Sequence, residues 1–191
     1  MLNSMRSGQF NDGIKPGLSS YTACMFSAMQ DADWKGVIEL NEQMMTDGIP
    51  PSDASVHGAL LASSRLVDHS KALELMHEAA ENKVGLNLGS LRHCMALFLP
   101  EYVENVKTLT DIREAFRAFA KKCEAHDKND IAASQAMKLS KSIRMAEIEG
   151  SRLPSDSLKK EDILERQHAL WRDILIQFHE LAKNLDSNTK K

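Results

Sequence analysis

A repeat of 35 residues is the feature that most constrains how this chain can fold. Within each unit, apolar residues recur at the three- and four-residue steps of an amphipathic helix. A fixed period in the range of about 20–50 residues indicates units that bury their apolar faces only by stacking on neighbours. Shifting the sequence by 35 positions superimposes Tyr21 on Val56, Met25 on Leu60, Val37 on Ala72, Leu40 on Leu75, Met44 on Ala79 and Ile49 on Val84.

Polar residues and helix breakers divide each unit into two helices. Asp33 and Asp68 stand where a second helix begins, and an aspartate there accepts backbone N–H groups that have no partner within the helix. Gly48 follows the second helix at a position that favours positive φ, and Pro50 and Pro51 prevent its continuation. The sequence therefore predicts a series of helical hairpins.

The end of the unit carries the most specific motif in the chain. Gly48-Ile49-Pro50-Pro51-Ser52, preceded by Val37-Ile38-Glu39-Leu40 and Met44, resembles the Gly-Ile-Lys-Pro-Asp ending of the pentatricopeptide repeat family. A second copy of this ending, Asp12-Gly13-Ile14-Lys15-Pro16-Gly17, lies one period upstream. The Trp-x-x-Leu-Gly pattern that is usual in tetratricopeptide repeats is absent from these units.

The resemblance implies an all-α fold: a right-handed α-solenoid of helix-turn-helix repeats with a C-terminal helical extension. The repeats span residues 2–99 and comprise a partial unit (2–17), two full units (18–52 and 53–87) and a degenerate unit (88–99). Because the first unit lacks its first helix, we expect a chain that has lost part of its N-terminus.

Residues 100–191 form the C-terminal helical region, for which we predict three helices. Thr110 is the expected cap of the first, and the second spans about Asp130 to Glu149. The third and longest covers about 157–185 and starts at Ser157. Its apolar seam, which either closes the end of the repeats or meets a second protomer, contains Leu164, Trp171, Leu175, Phe178, Ala182 and Leu185.

In the pentatricopeptide family the first helices line a groove that holds single-stranded RNA. Each unit recognises one base through its fifth and last residues, as in other helical-repeat RNA readers. The resemblance therefore implies RNA contact by Thr22 with Ser52, by His57 with Asn87, and by Arg92 in the third unit.

The residues that flank each base in the family are usually valine. Here the corresponding positions hold Ser19, Ala54 and Gly89. Such small side chains remove stacking contact worth about 1 kcal/mol or more per base.

Charge keeps a second interpretation open. The net charge is −3, and residues 1–100 contain 7 Lys/Arg against 11 Asp/Glu, so non-specific attraction to phosphate should be weak. Arg65, Arg92 and His57 are the cationic candidates on the first helices. The alternative is a helical-repeat protein–protein interaction adaptor without RNA contact, in which the groove or the Trp171 helix holds a partner helix.

The sequence gives little sign of catalysis. His69 and His77 lie eight residues apart without a third ligand, and the motifs of phosphate loops, zinc proteases and nucleophile elbows are absent. We therefore expect no enzymatic activity, no metal and no cofactor.

Composition also bears on the compartment. Cys24, Cys94 and Cys123 are widely spaced, which favours reduced thiols. No run of eighteen apolar residues occurs, so no membrane span is expected. The family resemblance implies a mitochondrion or plastid, although no targeting peptide is visible in this sequence.

Overall fold

The structure, a computed structural model, describes residues 16–104, 106–126, 130–151 and 157–189. This part of the chain is all-helical and contains no β-strand, which confirms the all-α prediction. The partial unit predicted at 2–17 lies outside it, apart from Pro16 and Gly17. The eight helices are α1 (Leu18–Gln30), α2 (Trp34–Thr46), α3 (Asp53–Leu66), α4 (His69–Glu81), α5 (Leu88–Phe98), α6 (Leu109–His126), α7 (Ile131–Ser151) and α8 (Ser157–Thr189), with a 3₁₀ turn at Pro100–Tyr102.

The structure confirms the helix starts predicted at Asp33 and Asp68 and the helix end predicted at Gly48. The carboxylates of Asp33 and Asp68 each accept a backbone N–H at 2.9 Å, from Gly36 and Lys71 respectively, and so cap α2 and α4. Gly48 ends α2 with a φ of 75°, which a side chain would disfavour.

The first helices of the units, α1, α3 and α5, pack side by side, α1 on α3 and α3 on α5. The second helix α2 lies against α1 and α3, and α4 lies against α3. Gly58 lies on the side of α3 that faces α1, where an added Cβ would be in ordinary van der Waals contact with the Met29 sulfur, 3.4 Å away. Ala59 and Ala62, both fully buried, keep the packed surface of α3 flat.

In the third unit no second helix follows α5 directly in the sequence. The long helix α8 packs against α4 and α5 instead. It runs antiparallel to α4: His179 stacks on His77 with ring centroids 5.9 Å apart, and Trp171 lies beside Gly85. Its other face packs on α7. In the described part of the predicted seam, Leu175, Phe178 and Ala182 are buried, and Trp171 and Leu185 are half-buried.

Three predicted boundaries were wrong. α6 is capped by Thr108, whose hydroxyl accepts the Asp111 N–H at 3.2 Å, and not by Thr110. α7 continues through Gly150 to Ser151, and α8 runs to Thr189 rather than to about residue 185. No described helix is both long enough and apolar enough to cross a membrane.

Candidate nucleic-acid interface

Three of the predicted RNA-binding residues occupy equivalent positions on neighbouring helices. Thr22 lies on α1, His57 on α3 and Arg92 on α5, and each is 35 residues from the next. Since α1 packs on α3 and α3 on α5, the repeat places these positions in register along the stack. We call the surface of α1, α3 and α5 that contains them the first-helix face.

A chain of hydrogen bonds joins His57 to Asn87, the two residues predicted to act together in the second unit. Asn87 caps α5, because its Oδ1 accepts the backbone N–H of Ser90 at 2.8 Å. The Ser90 hydroxyl also donates to this oxygen, at 3.2 Å, and lies 3.1 Å from Nδ1 of His57. A hydroxyl that donates to Asn87 accepts from His57, so this network assigns the proton of His57 to Nδ1 and leaves Nε2 as an acceptor.

Gly89 provides the room for this arrangement. A Cβ at this position would lie 2.7 Å from Cε1 of His57, too close for any contact. The ring of His57 therefore covers the first turn of α5 at the place where the family resemblance expects a larger flanking residue. The observed position of the His57 ring therefore requires a residue without a side chain at position 89.

A second histidine, His93, lies beside His57 with ring centroids 5.1 Å apart. Burial, together with the smaller effects of His57, Arg65 and Arg92, lowers the pKa of His93 to about 4. Burial also lowers the pKa of His57, against the smaller opposing effect of the Asn87 side chain. Both rings are therefore neutral at pH 7.

The other predicted residues are not joined in this way. The hydroxyl of half-buried Thr22 donates within its own helix, to the carbonyl oxygen of Leu18 at 3.0 Å. Ser52 caps α3 in a reciprocal capping box with Ser55. The side chain of Arg92 is exposed to solvent. Among the predicted pairs, the described contacts link His57 with Asn87 and do not link Thr22 with Ser52.

Charge differs sharply between the two layers of helices. The first helices α1, α3 and α5 contain two arginines, Arg65 and Arg92, and a single acidic residue, Asp53. The second helices α2 and α4 contain two lysines and five glutamates. Five of the ten acidic residues at positions 16–100 therefore lie on the second helices, and Asp31, Asp33, Asp47 and Asp68 lie between helices.

Arg65 provides a cation next to an aromatic surface. Its guanidinium carbon lies 5.8 Å from the centroid of the Trp34 ring, within the range of a cation–π contact. Arg65 is exposed and Trp34 is half-buried, so the pair lies at the surface where α3 ends and α2 begins. Planar cations and indole rings are both surfaces on which nucleic-acid bases stack.

Sequence reasoning missed Ser90 and His93. The signal for Ser90 was available, because it stands three residues after the cap Asn87, where a side chain can return to the cap. His93 gave no comparable signal, since its role depends on its proximity to a residue one repeat away.

The remaining candidates show no reactive arrangement. No group of three or more His, Cys, Asp or Glu residues in the described ranges could hold a metal ion. His69 packs edge-on against Phe98 at 5.2 Å, and His77 stacks on His179. Burial raises the pKa of the Cys94 thiol to about 12, which leaves it unreactive at neutral pH.

Comparisons of the chain with protein-family models, with curated protein sequences and with solved structures found no match.

Proposed function

We propose that the chain binds single-stranded RNA along the first-helix face, as part of a right-handed α-solenoid of pentatricopeptide-like units. The proposed setting is a mitochondrion or plastid, where such binding would serve the maturation, stability or translation of RNA. The observation that carries the proposal is the separation of charge between the two layers of helices. Five glutamates lie on α2 and α4, whereas α1, α3 and α5 together hold two arginines and one aspartate.

Phosphate contacts account for most of the affinity of a protein for single-stranded nucleic acid, and aromatic stacking adds to it. Arg65 and Arg92 supply the cations, and Arg65 shares its surface with Trp34. With two arginines, binding is expected to be weak, with a shallow salt dependence of slope about −1.4. Full units at 18–52 and 53–87 address about two bases, so a second chain or a partner would be needed for a long target.

The hydrogen-bond chain at His57 defines how the second unit can contact a base. With Nδ1 donating to Ser90, the neutral ring offers Nε2 as an acceptor. Each base has a donor for this acceptor: the exocyclic amino group in adenine, cytosine and guanine, and the imino N–H in uracil. We therefore expect His57 to accept a hydrogen bond from the base without selecting one base by itself.

The test is a salt series of binding to a pool of short random single-stranded RNA. Wild type is compared with Thr22→Ala/His57→Ala, and Thr46→Ala/His77→Ala serves as the control because it removes the same residue types from the second helices. Selective binding that is lost in the first variant and kept in the second supports the proposal. No binding at low salt, or equal loss in both variants, contradicts it.

A protein–protein interaction adaptor is the second candidate, and one observation favours it. Helix α1 carries no charged residue and exposes Phe26, whose side chain is 60% accessible. An exposed aromatic side chain on an uncharged helix is the type of surface that anchors a partner helix. In the described part of the α8 seam, Leu175, Phe178 and Ala182 are buried within the chain, so Phe26 offers the more exposed anchor.

A further inference from the structure

A cavity lies at the junction between the repeats and the C-terminal region, and none of the predicted RNA-binding residues lines it. It has a volume of about 340 Å³ and lies between the 3₁₀ turn that follows α5, the end of α6, the start of α7 and the end of α8. Its size falls at the lower end of the range of small-molecule sites, about 300–1,000 Å³. A cavity of about 150 Å³ holds benzene, so this one has room for a second fused ring.

The walls of the cavity are aromatic and aliphatic. Phe98, Tyr102 and Phe119 contribute rings, and Leu99 and Leu185 contribute branched side chains. Tyr102 and Phe119 meet edge to face with centroids 5.8 Å apart, which fixes the orientation of both rings. Such a lining binds a flat apolar group better than a flexible polar one.

The charged residues at this cavity carry a net negative charge. Lys122 is neutralised by Glu101 through an ion pair of 2.8 Å, which also holds the ammonium 5.9 Å from the centre of the Tyr102 ring. Asp130 remains as the third charged lining residue. Its Oδ1 accepts the Ala132 N–H at 2.7 Å, so its position is fixed by the start of α7.

The charge of Asp130 acts on the cavity wall. Cys123, which lines the cavity, has its pKa raised by burial and by the neighbouring carboxylate of Asp130. A carboxylate that disfavours a thiolate at this wall would favour a cation in the same place.

We propose that this cavity binds a small molecule with a fused two-ring aromatic body and a positively charged end, the rings packed against Phe119, Tyr102 and Leu185 and the cation facing Asp130. This site is independent of the proposed RNA-binding face. It would make the junction between the repeats and the C-terminal region sensitive to a small ligand.

Cys123 allows a direct test in the wild-type protein. Alkylation by iodoacetamide is followed at each cysteine by peptide mass spectrometry, with tryptamine as the cationic probe, indole as the neutral probe and indole-3-acetate as the anionic probe. Tryptamine at millimolar concentration is expected to slow alkylation of Cys123 several-fold and to leave half-buried Cys24 on α1 unchanged. Indole should protect less, and indole-3-acetate least.

Asp130→Asn tests the charge without removing the cap, since asparagine also caps helices. The ratio of alkylation rates with and without ligand is used, because the substitution itself alters the thiol. Protection by tryptamine should fall about threefold, because one partly exposed charge contact is lost. Protection by indole, which carries no charge, should be unchanged. Glu81→Gln on α4 is the matched control and should leave both ratios unchanged.

Two results would overturn the proposal. If none of the probes protects Cys123, or if Cys24 is slowed equally, the cavity is not a binding site for this chemistry. If the three probes protect equally, the assigned role of Asp130 is wrong.

Discussion

The repeat half (α1–α5) and the C-terminal region (α6–α8) are both helical, but they are specified in different ways. Helices in the repeat half have 11–14 residues, whereas those in the C-terminal region have 18, 21 and 33 residues. Short helices gain little stability on their own, so the repeats depend on capping at nearly every start. Asp33, Ser52, Asp68 and Asn87 each accept a backbone N–H at the beginning of a helix.

The C-terminal region relies on polar contacts between helices. Glu147 of α7 accepts from Arg113 of α6 at 2.6 Å and from Thr110 at 2.7 Å. Gln177 of α8 donates to the Ser142 hydroxyl of α7 at 2.9 Å. These pairs set the register of long helices that could otherwise slide along one another. Helix caps occur in both regions, since Thr108 caps α6 and Asp130 caps α7. The difference lies in helix length: the short helices of the repeats end between closely spaced caps, whereas the long C-terminal helices also need polar pairs along their length to fix their register.

The largest effect on stability is expected at Phe178, because its side chain contacts both regions. It is fully buried on α8 and contacts Phe98 of α5 and Phe116 of α6, with centroids 6.3 and 5.7 Å away. Phe178→Ala should lower the free energy of unfolding by about 3–5 kcal/mol, measured by urea denaturation. Ile176→Ala, at a side chain 41% exposed on the same helix, should change it by less than about 0.5 kcal/mol. A loss below about 1 kcal/mol for Phe178→Ala would show that α8 does not join the two regions.

The pair of Arg113 and Glu147 tests the role of pairing. Arg113→Met should cost about 1.5–3 kcal/mol in the free energy of unfolding, because it leaves a half-buried carboxylate without its charged partner. Lys122→Met removes an exposed pair and should have no measurable effect. Equal effects of the two substitutions would mean that the contact between α6 and α7 is no stronger than a surface ion pair.

The stability of the repeat half should depend on pH through the protonation of His93. The folded chain keeps this ring neutral down to a pKa of about 4, whereas the unfolded chain binds a proton near 6.5. The unfolded state thus holds more protons in acid, so this contribution is complete above about pH 6.5 and is lost as the pH falls towards about 4. Since the ring is only partly buried, we expect about 1–2 kcal/mol rather than the full linkage value.

The measurement is the free energy of unfolding from pH 7.5 to pH 4, with the imidazole titration of His93 followed by NMR. His93→Gln should reduce the loss of stability in this range. An unchanged pH dependence in the variant would contradict the assignment.

The smallest changes in the free energy of unfolding are expected for the two capping aspartates, which compare one repeat directly with the next. Asp33→Ala and Asp68→Ala should each lower the free energy of unfolding by about 1 kcal/mol, and by similar amounts, because they make the same bond one repeat apart. Asp31→Ala, at the C-terminal end of α1, should be neutral or slightly stabilising. Unequal losses at the two caps would indicate that the units are not equivalent in energy.

The features that could be predicted from the sequence are the local ones. Asp33, Asp68 and Gly48 act within a few residues of their own position, so each was identified correctly from the pattern. The cap of α6 was placed wrongly at Thr110, because Thr108 is chemically equivalent and the deciding bonds come from Asp111. Only the folded backbone shows which threonine this carboxylate reaches.

Long-range features could not be predicted. The packing of α8 along α4 joins residues about one hundred positions apart, and no periodicity records such a contact. The same is true of the proposed interface: the repeat aligns His57 with Thr22 and Arg92, but the bond from His57 to Ser90 depends on the spacing of α3 and α5. The positions of the candidate residues follow from the sequence, and their protonation and hydrogen bonds follow from the packing.

The proposed function places single-stranded RNA on the first-helix face and not on the acidic second layer. Its most direct test is the salt dependence of binding to a short single-stranded RNA for Arg65→Ala/Arg92→Ala and for Lys35→Ala/Lys83→Ala. Each variant loses two exposed positive charges. In the lysine variant both of these charges lie outside the first helices. We predict weaker binding and a salt slope reduced by about 1.4 for the arginine variant alone. Equal losses in both variants would contradict the account.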